Sequence, residues 1–312
     1  MRILDAHVHL YPPEINRDPA GWAAAHGEPH WALLCTRRRR DGRPVQGFPD
    51  VDALLRELDA AGIERAVLLG WYWEQAASCA GQNRFFAACR RAHPDRLLAF
   101  ATVQPAAGPA VCLAELERAR DEGLCGVGEL SPHAQHHALA APGFAAVLAW
   151  AGAAGWPVNL HVTDPAAGAY PGRIATPLAD FRALALRFPD TRFILAHWGG
   201  LLPLAGDGPA PANVWYDTAA SPLVHGPSIW ETFLRAVGPE RVLFGSDHPL
   251  HLYPREPGAG LGRFVAEARA GGAGAAVFGG NLLSLLDPSG TSATPSGAPG
   301  SGHPGQSPAA RS

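Results

Sequence analysis

Four short apolar segments carry imidazole or carboxylate groups at their ends. Asp5-Ala6-His7-Val8-His9 lies near the N-terminus, Asn159-Leu160-His161 and Leu195-Ala196-His197 lie mid-chain, and Phe244-Gly245-Ser246-Asp247 comes later. Imidazoles and a carboxylate buried where apolar runs stop need partners, because an unpaired polar group loses its hydration on burial. A shared divalent cation would partner all of them. Glu129, inside Gly-Val-Gly-Glu-Leu, ends a further apolar run and is a weaker candidate ligand. Nitrogen and oxygen donors without thiolate suit zinc first, with manganese, iron and cobalt also compatible.

The runs that carry these groups are rich in Val, Ile, Leu and Phe and read as buried parallel strands. Between them lie helical stretches expected over 50–61, 82–92, 110–122, 143–154, 177–188, 228–237, 262–270 and 273–286. Strands alternating with helices predict a (β/α)8 barrel over residues 1–286. In that fold, groups at the C-terminal strand ends share one mouth, which is where His9, Glu129, His161, His197 and Asp247 fall. Side-chain alternation puts Asp5, His7 and His9 on one face, with Asp5 placed to accept a ring N–H from a ligand histidine. A doubly wound sheet is the alternative. It usually carries a glycine-rich phosphate turn after its first strand, whereas here His-Val-His is followed by Leu-Tyr-Pro-Pro. Residues 11–49, punctuated by prolines, read as an irregular inserted capping loop, and the Ser/Gly/Pro/Ala-rich 287–312 as a disordered tail.

The composition narrows the function. The chain has 312 residues, 47% of them apolar, and a formal net charge of −3. Near-neutral charge gives no reason to expect nucleic acid or an anionic membrane as a partner. No apolar stretch reads as a spanning helix, and Asp5, His7 and His9 interrupt the position of a signal-peptide core, so a cytoplasmic location is expected. Five cysteines without a C-x-x-C pair read as reduced thiols. All 25 basic residues are arginine, which excludes a Schiff-base lysine, a Walker P-loop and a carbamylated-lysine metal bridge.

Asp-Ala-His-Val-His-Leu, Asn-Leu-His-Val, Leu-Ala-His-Trp-Gly-Gly and Phe-Gly-Ser-Asp-His-Pro together resemble the signatures of the amidohydrolase superfamily. More narrowly, they are similar to the amidohydrolase-2 group of metal-dependent hydrolases and decarboxylases, which includes aminocarboxymuconate-semialdehyde decarboxylase. The resemblance spans about residues 1–286. It implies one divalent metal on His7, His9, His161 and Asp247, with His197 as a catalytic acid–base or, in two-metal relatives, a further ligand. Glu129 stands where many two-metal members carry the bridging lysine, so a second metal is allowed but not required.

Two reactions use these residues. In the leading one, a metal-activated water attacks a C–O or C–N centre of a small organic substrate, Asp247 takes its proton, and His197 stabilises the oxyanion or protonates the leaving group. In the alternative, a non-oxidative decarboxylase, Asp247 with His197 protonates the ring carbon of a carboxylated planar substrate. A non-catalytic metal-binding barrel is a third reading, disfavoured by the complete ligand set.

Around the expected mouth, Trp71 and Trp73 could stack on a planar substrate or plug a lid loop. Asp217 could orient His197 or bind substrate, and His248 could touch substrate or sit on the rim. Arg37 to Arg40 could capture an anion bidentately, although a charge run is more often a solvated face. Trp22, His26, His30 and Trp31 could cap the pocket or meet a second copy in a homodimer.

Overall fold

A computed structural model describes residues 1–206, 210–256 and 258–287. Strand β1 (Leu4–Val8) is followed by three short helices, α1 (Pro13–Arg17), α2 (Pro19–His26) and α3 (Pro29–Cys35). Then come α4 (Val51–Ala61), β2 (Arg65–Leu68), α5 (Ala76–Ala92), β3 (Leu97–Ala99), α6 (Pro109–Asp121), β4 (Val127–Leu130), α7 (Pro142–Ala154) and β5 (Val158–Leu160). The chain continues through α8 (Leu178–Arg187), β6 (Phe193–Leu195), β7 (Val214–Asp217), α9 (Ser221–Val224), α10 (Ile229–Val237), β8 (Val242–Leu243), α11 (Leu261–Ala270) and α12 (Asn281–Leu286).

All strand pairs are parallel, in the order β1-β2-β3 and β4-β5-β6-β7-β8. Two seams close them into the expected barrel. Ala101 bridges to Val127 between β3 and β4, while Ala6 N–H donates to Phe244 O (2.8 Å) and Asp247 N–H to His7 O (2.9 Å) between β8 and β1. One side of each strand packs outward on the helices, as Ala66, Leu68, Val158, Leu195 and Phe244 do against Leu54, Phe86, Val147 and Phe264. Val67, Leu69, Phe100, Ile194 and Leu243 form a second cluster with Leu282 and Leu285 of α12. Helix α12 lies at the N-terminal ends of the strands, where Arg192 donates to Leu285 O and Asn281 to Val242 O. Its position leaves the C-terminal ends open.

Local chemistry explains the helix boundaries. Asp50 caps α4 by accepting from Ala53 N–H at 2.7 Å, Leu54 and Leu58 face inward one turn apart, and Gly62 ends the helix at φ +69°. The stretch expected to be irregular is helical in three pieces, because Pro13, Pro19 and Pro29 each open a helix. A proline at the first helical position loses no hydrogen bond, so the residues read as breakers act as initiators. Helix α5 begins six residues before the expected Gln82, since Gln82 and Asn83 are buried polar residues that blur its apolar face. The final helical stretch is interrupted by a π-turn over Ala276–Gly280. Of the expected tail, all but Asp287 lies outside the described residues. None of the five cysteines is bonded to another, and no described helix is long and apolar enough to cross a membrane.

Candidate active site

His7 and His9 lie at the end of β1 with their rings edge to face at 4.9 Å, and their Nε2 atoms are 3.2 Å apart. Behind His7, Asp217 Oδ2 accepts from Nδ1 at 2.9 Å; behind His9, the Leu69 carbonyl lies 3.2 Å from Nδ1. With those protons on Nδ1, both Nε2 atoms point their lone pairs at each other. Two facing lone pairs need a cation between them. Asp247 Oδ1 stands 3.7 and 3.6 Å from the two Nε2 atoms, and Glu129 Oε2 stands 3.9 and 3.6 Å away. Ligand atoms about 2.1 Å from one cation are separated by roughly 3–3.4 Å in octahedral or tetrahedral arrangement, so small adjustments bring these four onto one ion. The site therefore fits a divalent metal on its own geometry.

Glu129 also faces the other way. Its Oε1 is 2.9 Å from His161 Nδ1 and 3.8 Å from His197 Nε2, and those two nitrogens are 3.3 Å apart. The residues thus form two groups, His7–His9–Asp247 and Glu129–His161–His197. The resemblance placed His161 with the first group; the structure places it with the second, and Glu129 joins them. The Gly-Glu step in β4 makes this reach available. Gly128 sits at φ +125°, and a Cβ there would run into the Asn159 carbonyl, so only glycine fits beside β5.

The electrostatics follow from this crowding. Burial opposes a charge on His7, yet Asp217, Asp247 and Glu129 push its pKa up to about 10, so the surrounding carboxylates favour positive charge at this point. Burial likewise opposes ionisation of Glu129, but the imidazoles of His161, His9 and His7 hold its carboxyl well below the usual range. His197 moves down because it is buried and faces His161. His197 and Asp247 both adopt left-handed backbone, φ +56° and +67°. For non-glycine residues this costs on the order of 1–3 kcal/mol each and clusters at functional sites.

Asp5 does not reach a ring nitrogen: its Oδ1 accepts from His7 N–H (3.1 Å) and Ser246 N–H (2.9 Å), tying β1 to β8. The register of β1 slips between Asp5 and Val8, which spoils the simple alternation. Asp217 takes the supporting role, accepting from His7, from Asn159 Nδ2 (2.9 Å) and from the backbone N–H groups of His197 (3.2 Å) and Ala219 (3.0 Å). It is fully buried, so it positions His7 and His197 and does not face the pocket. Asn159 was missed as a functional residue; the signal was an amide inside an otherwise apolar strand.

The cluster forms the floor of a cavity of about 860 Å³. Trp71 lines it, 5.1 Å from the His9 ring, with Tyr72 stacked on Trp71 at 4.4 Å. Trp73 turns away, its Nε1 donating to Gln82 at 2.6 Å in a packed cluster with Tyr11, Trp22 and Trp31. His248 also turns away, towards Glu57 at 3.5 Å, and burial lowers its pKa to about 4. Arg37 to Arg40 sit at the rim of the cavity, Arg38 and Arg40 exposed to solvent as expected, and Arg37 lies over the Tyr170 ring at 4.8 Å. His30 reaches the wall, whereas His133 pairs with Asp180.

A parallel barrel with two imidazoles at the end of its first strand, further imidazoles just after the fifth and sixth, and an aspartate after the eighth defines a (β/α)8 barrel with a candidate metal site at its C-terminal mouth. The chain belongs to the amidohydrolase family, whose model matches residues 4–281. Its fold is shared with the 5-carboxyvanillate decarboxylase of Sphingomonas paucimobilis (TM-score 0.67, 19% identity, covering 91% of this chain and 98% of that one). It is also shared with a 2,6-dihydroxybenzoate decarboxylase solved with 2,6-dihydroxybenzoate (TM-score 0.64, 19% identity, 92% and 98%). A third similar structure is the 5-carboxyvanillate decarboxylase of Novosphingobium aromaticivorans DSM 12444, complexed with manganese and a nitrobenzoic acid (TM-score 0.62, 16% identity, 86% and 89%).

Proposed function

We infer that this protein is a metal-dependent, non-oxidative decarboxylase of carboxylated aromatic substrates. The observation that carries the reading is the cavity itself: a metal-type floor, a stacked Trp71–Tyr72 wall and a rim of Arg37 to Arg40. A flat ring suits the wall and a carboxylate suits the rim. The fold shared with the aromatic-acid decarboxylases named above supports it. The hydrolytic reading uses the same floor, and a planar carboxylated lactone would suit the same wall and rim, so it is kept as the second reading.

His7, His9 and Asp247 would hold one divalent cation, with Glu129 and His161 closing the site. The cation would supply positive charge to bind anionic oxygens of the substrate. Asp247, at the left-handed turn after β8 and 3.8 Å from His197 Nδ1, would deliver a proton to the ring carbon that bears the carboxylate. Protonation makes that carbon tetrahedral. The carbon–carbon bond electrons then return to the ring as carbon dioxide leaves. His197 Nδ1 donates to the Ala219 carbonyl at 3.0 Å, which fixes its ring beside Asp247. Trp71 and Tyr72 keep water from the ring face. Carbon dioxide release from hydroxylated benzoates, set beside hydrolysis of lactones and amides, tests the assignment. Hydrolysis without decarboxylation overturns it.

A further inference from the structure

Two polar residues beside the cluster have no part in that chemistry. Asp164, in the β5–α8 loop, is 4% exposed, and its Oδ2 accepts from His225 Nε2 at 2.6 Å. Its Oδ1 accepts from Ala166 N–H at 2.7 Å, so both oxygens are held. His225 follows α9 in the loop after β7, where its backbone N–H donates to Ser221 O at 2.9 Å. Both residues line the same cavity as His197 and Asp247. Their loops flank β6, the strand that presents His197.

A carboxylate at Nε2 fixes the ring proton there and leaves Nδ1 as the atom free to act. Burial opposes a charge on Asp164, but its bond to His225 holds the carboxyl below the usual range, so this wall carries negative charge. It therefore disfavours a second carboxylate and favours a hydrogen-bond donor. The arginines of the rim have the opposite preference. One wall of the cavity thus suits an anionic substituent and another suits an O–H group.

We propose that His225, oriented by Asp164, accepts a hydrogen bond from a ring hydroxyl of the substrate and so sets which hydroxylated aromatic acids this site takes. The proposal rests on the aromatic-acid reading above. His225 is a specificity residue that touches substrate, and Asp164 is its positioning residue. Losing one hydrogen bond of this kind in a desolvated pocket lowers affinity by about tenfold.

The test is calorimetric titration of the full-length, manganese-loaded protein with 2-hydroxybenzoate and with its derivatives bearing a second hydroxyl at ring position 4, 5 or 6. Wild type should bind at least one dihydroxy acid about tenfold more tightly than 2-hydroxybenzoate. His225→Phe should erase that preference while leaving 2-hydroxybenzoate affinity within about twofold. Should the single variant fail to fold with Asp164 left unpaired, the double variant Asp164→Leu/His225→Phe removes both partners together, with metal content and circular dichroism confirming its integrity. A preference that survives in the folded variants, or none in wild type, overturns the proposal. Carbon dioxide release that persists with an unmoved preference refutes only this inference. A wild-type protein that neither binds nor decarboxylates any of the four acids refutes the aromatic-acid reading as well.

Discussion

Asp217→Asn tests the architecture of the floor more sharply than removing a ligand would. The Asp217 carboxylate accepts from four donors: the His7 ring and Asn159 amide on Oδ2, and the His197 and Ala219 backbone N–H groups on Oδ1. Asparagine keeps the volume but turns one acceptor into an NH2 donor. That NH2 must face either the two backbone N–H groups or the His7 and Asn159 donors. Facing the backbone groups, it leaves buried N–H groups unsatisfied at about 1–3 kcal/mol each and loosens the His197 turn. Facing His7, it drives the ring proton to Nε2, into the place a cation would take. Loss of such supporting contacts typically weakens metal binding by about 10–100-fold, or roughly 1.4–2.7 kcal/mol. Competition against a chromophoric chelator measures the affinity, and thermal denaturation checks folding. A folded Asp217→Asn protein that binds zinc or manganese within about twofold of wild type would refute the claim that Asp217 sets the His7 tautomer.

Asp247→Asn should keep the fold and lower carbon dioxide release by roughly 10²–10⁴-fold, the range for losing a positioned proton donor; near wild-type turnover would remove Asp247 from that role. His7→Asn should purify without metal while His197→Asn retains most of it, as measured by elemental analysis; equal losses would indicate two cations sharing Glu129. Glu28, whose Oε2 and Oε1 accept from Glu74 N–H (2.8 Å) and Gln75 N–H (3.0 Å), ties the capping helices to the loop carrying Trp71. Burial raises its carboxyl from an ordinary 4.5 to about 7, so the folded chain holds that proton more tightly than the unfolded chain. Its contribution to stability therefore falls as pH rises from 4.5 to 7. The melting temperature of Glu28→Gln, relative to wild type, should be higher at pH 8 than at pH 5, and a pH-independent difference would exclude Glu28 as the source.

The barrel and its floor were largely legible in the chain because local periodicity and strand-end placement act over a few residues. Apolar runs closing on His161, His197 and Asp247 carried the strand positions, and with them the mouth. Proline was misleading in residues 11–49, because the same residue that breaks a helix interior starts one at its first turn. The partnership of Asp217 with His7 could not be read, since the two are 210 positions apart and meet only when β7 and β1 line one barrel interior. The same holds for Arg37 to Arg40. Their charge was visible, but whether they face water or the cavity depends on how the three capping helices fold over the mouth. Sequence alone determined which donor atoms the protein owns and on which strands they sit, because those follow from residue type and short-range pattern. Only the tertiary structure decided which donors meet, which tautomer each imidazole presents and which walls surround the substrate, because those depend on distances between segments far apart in the chain.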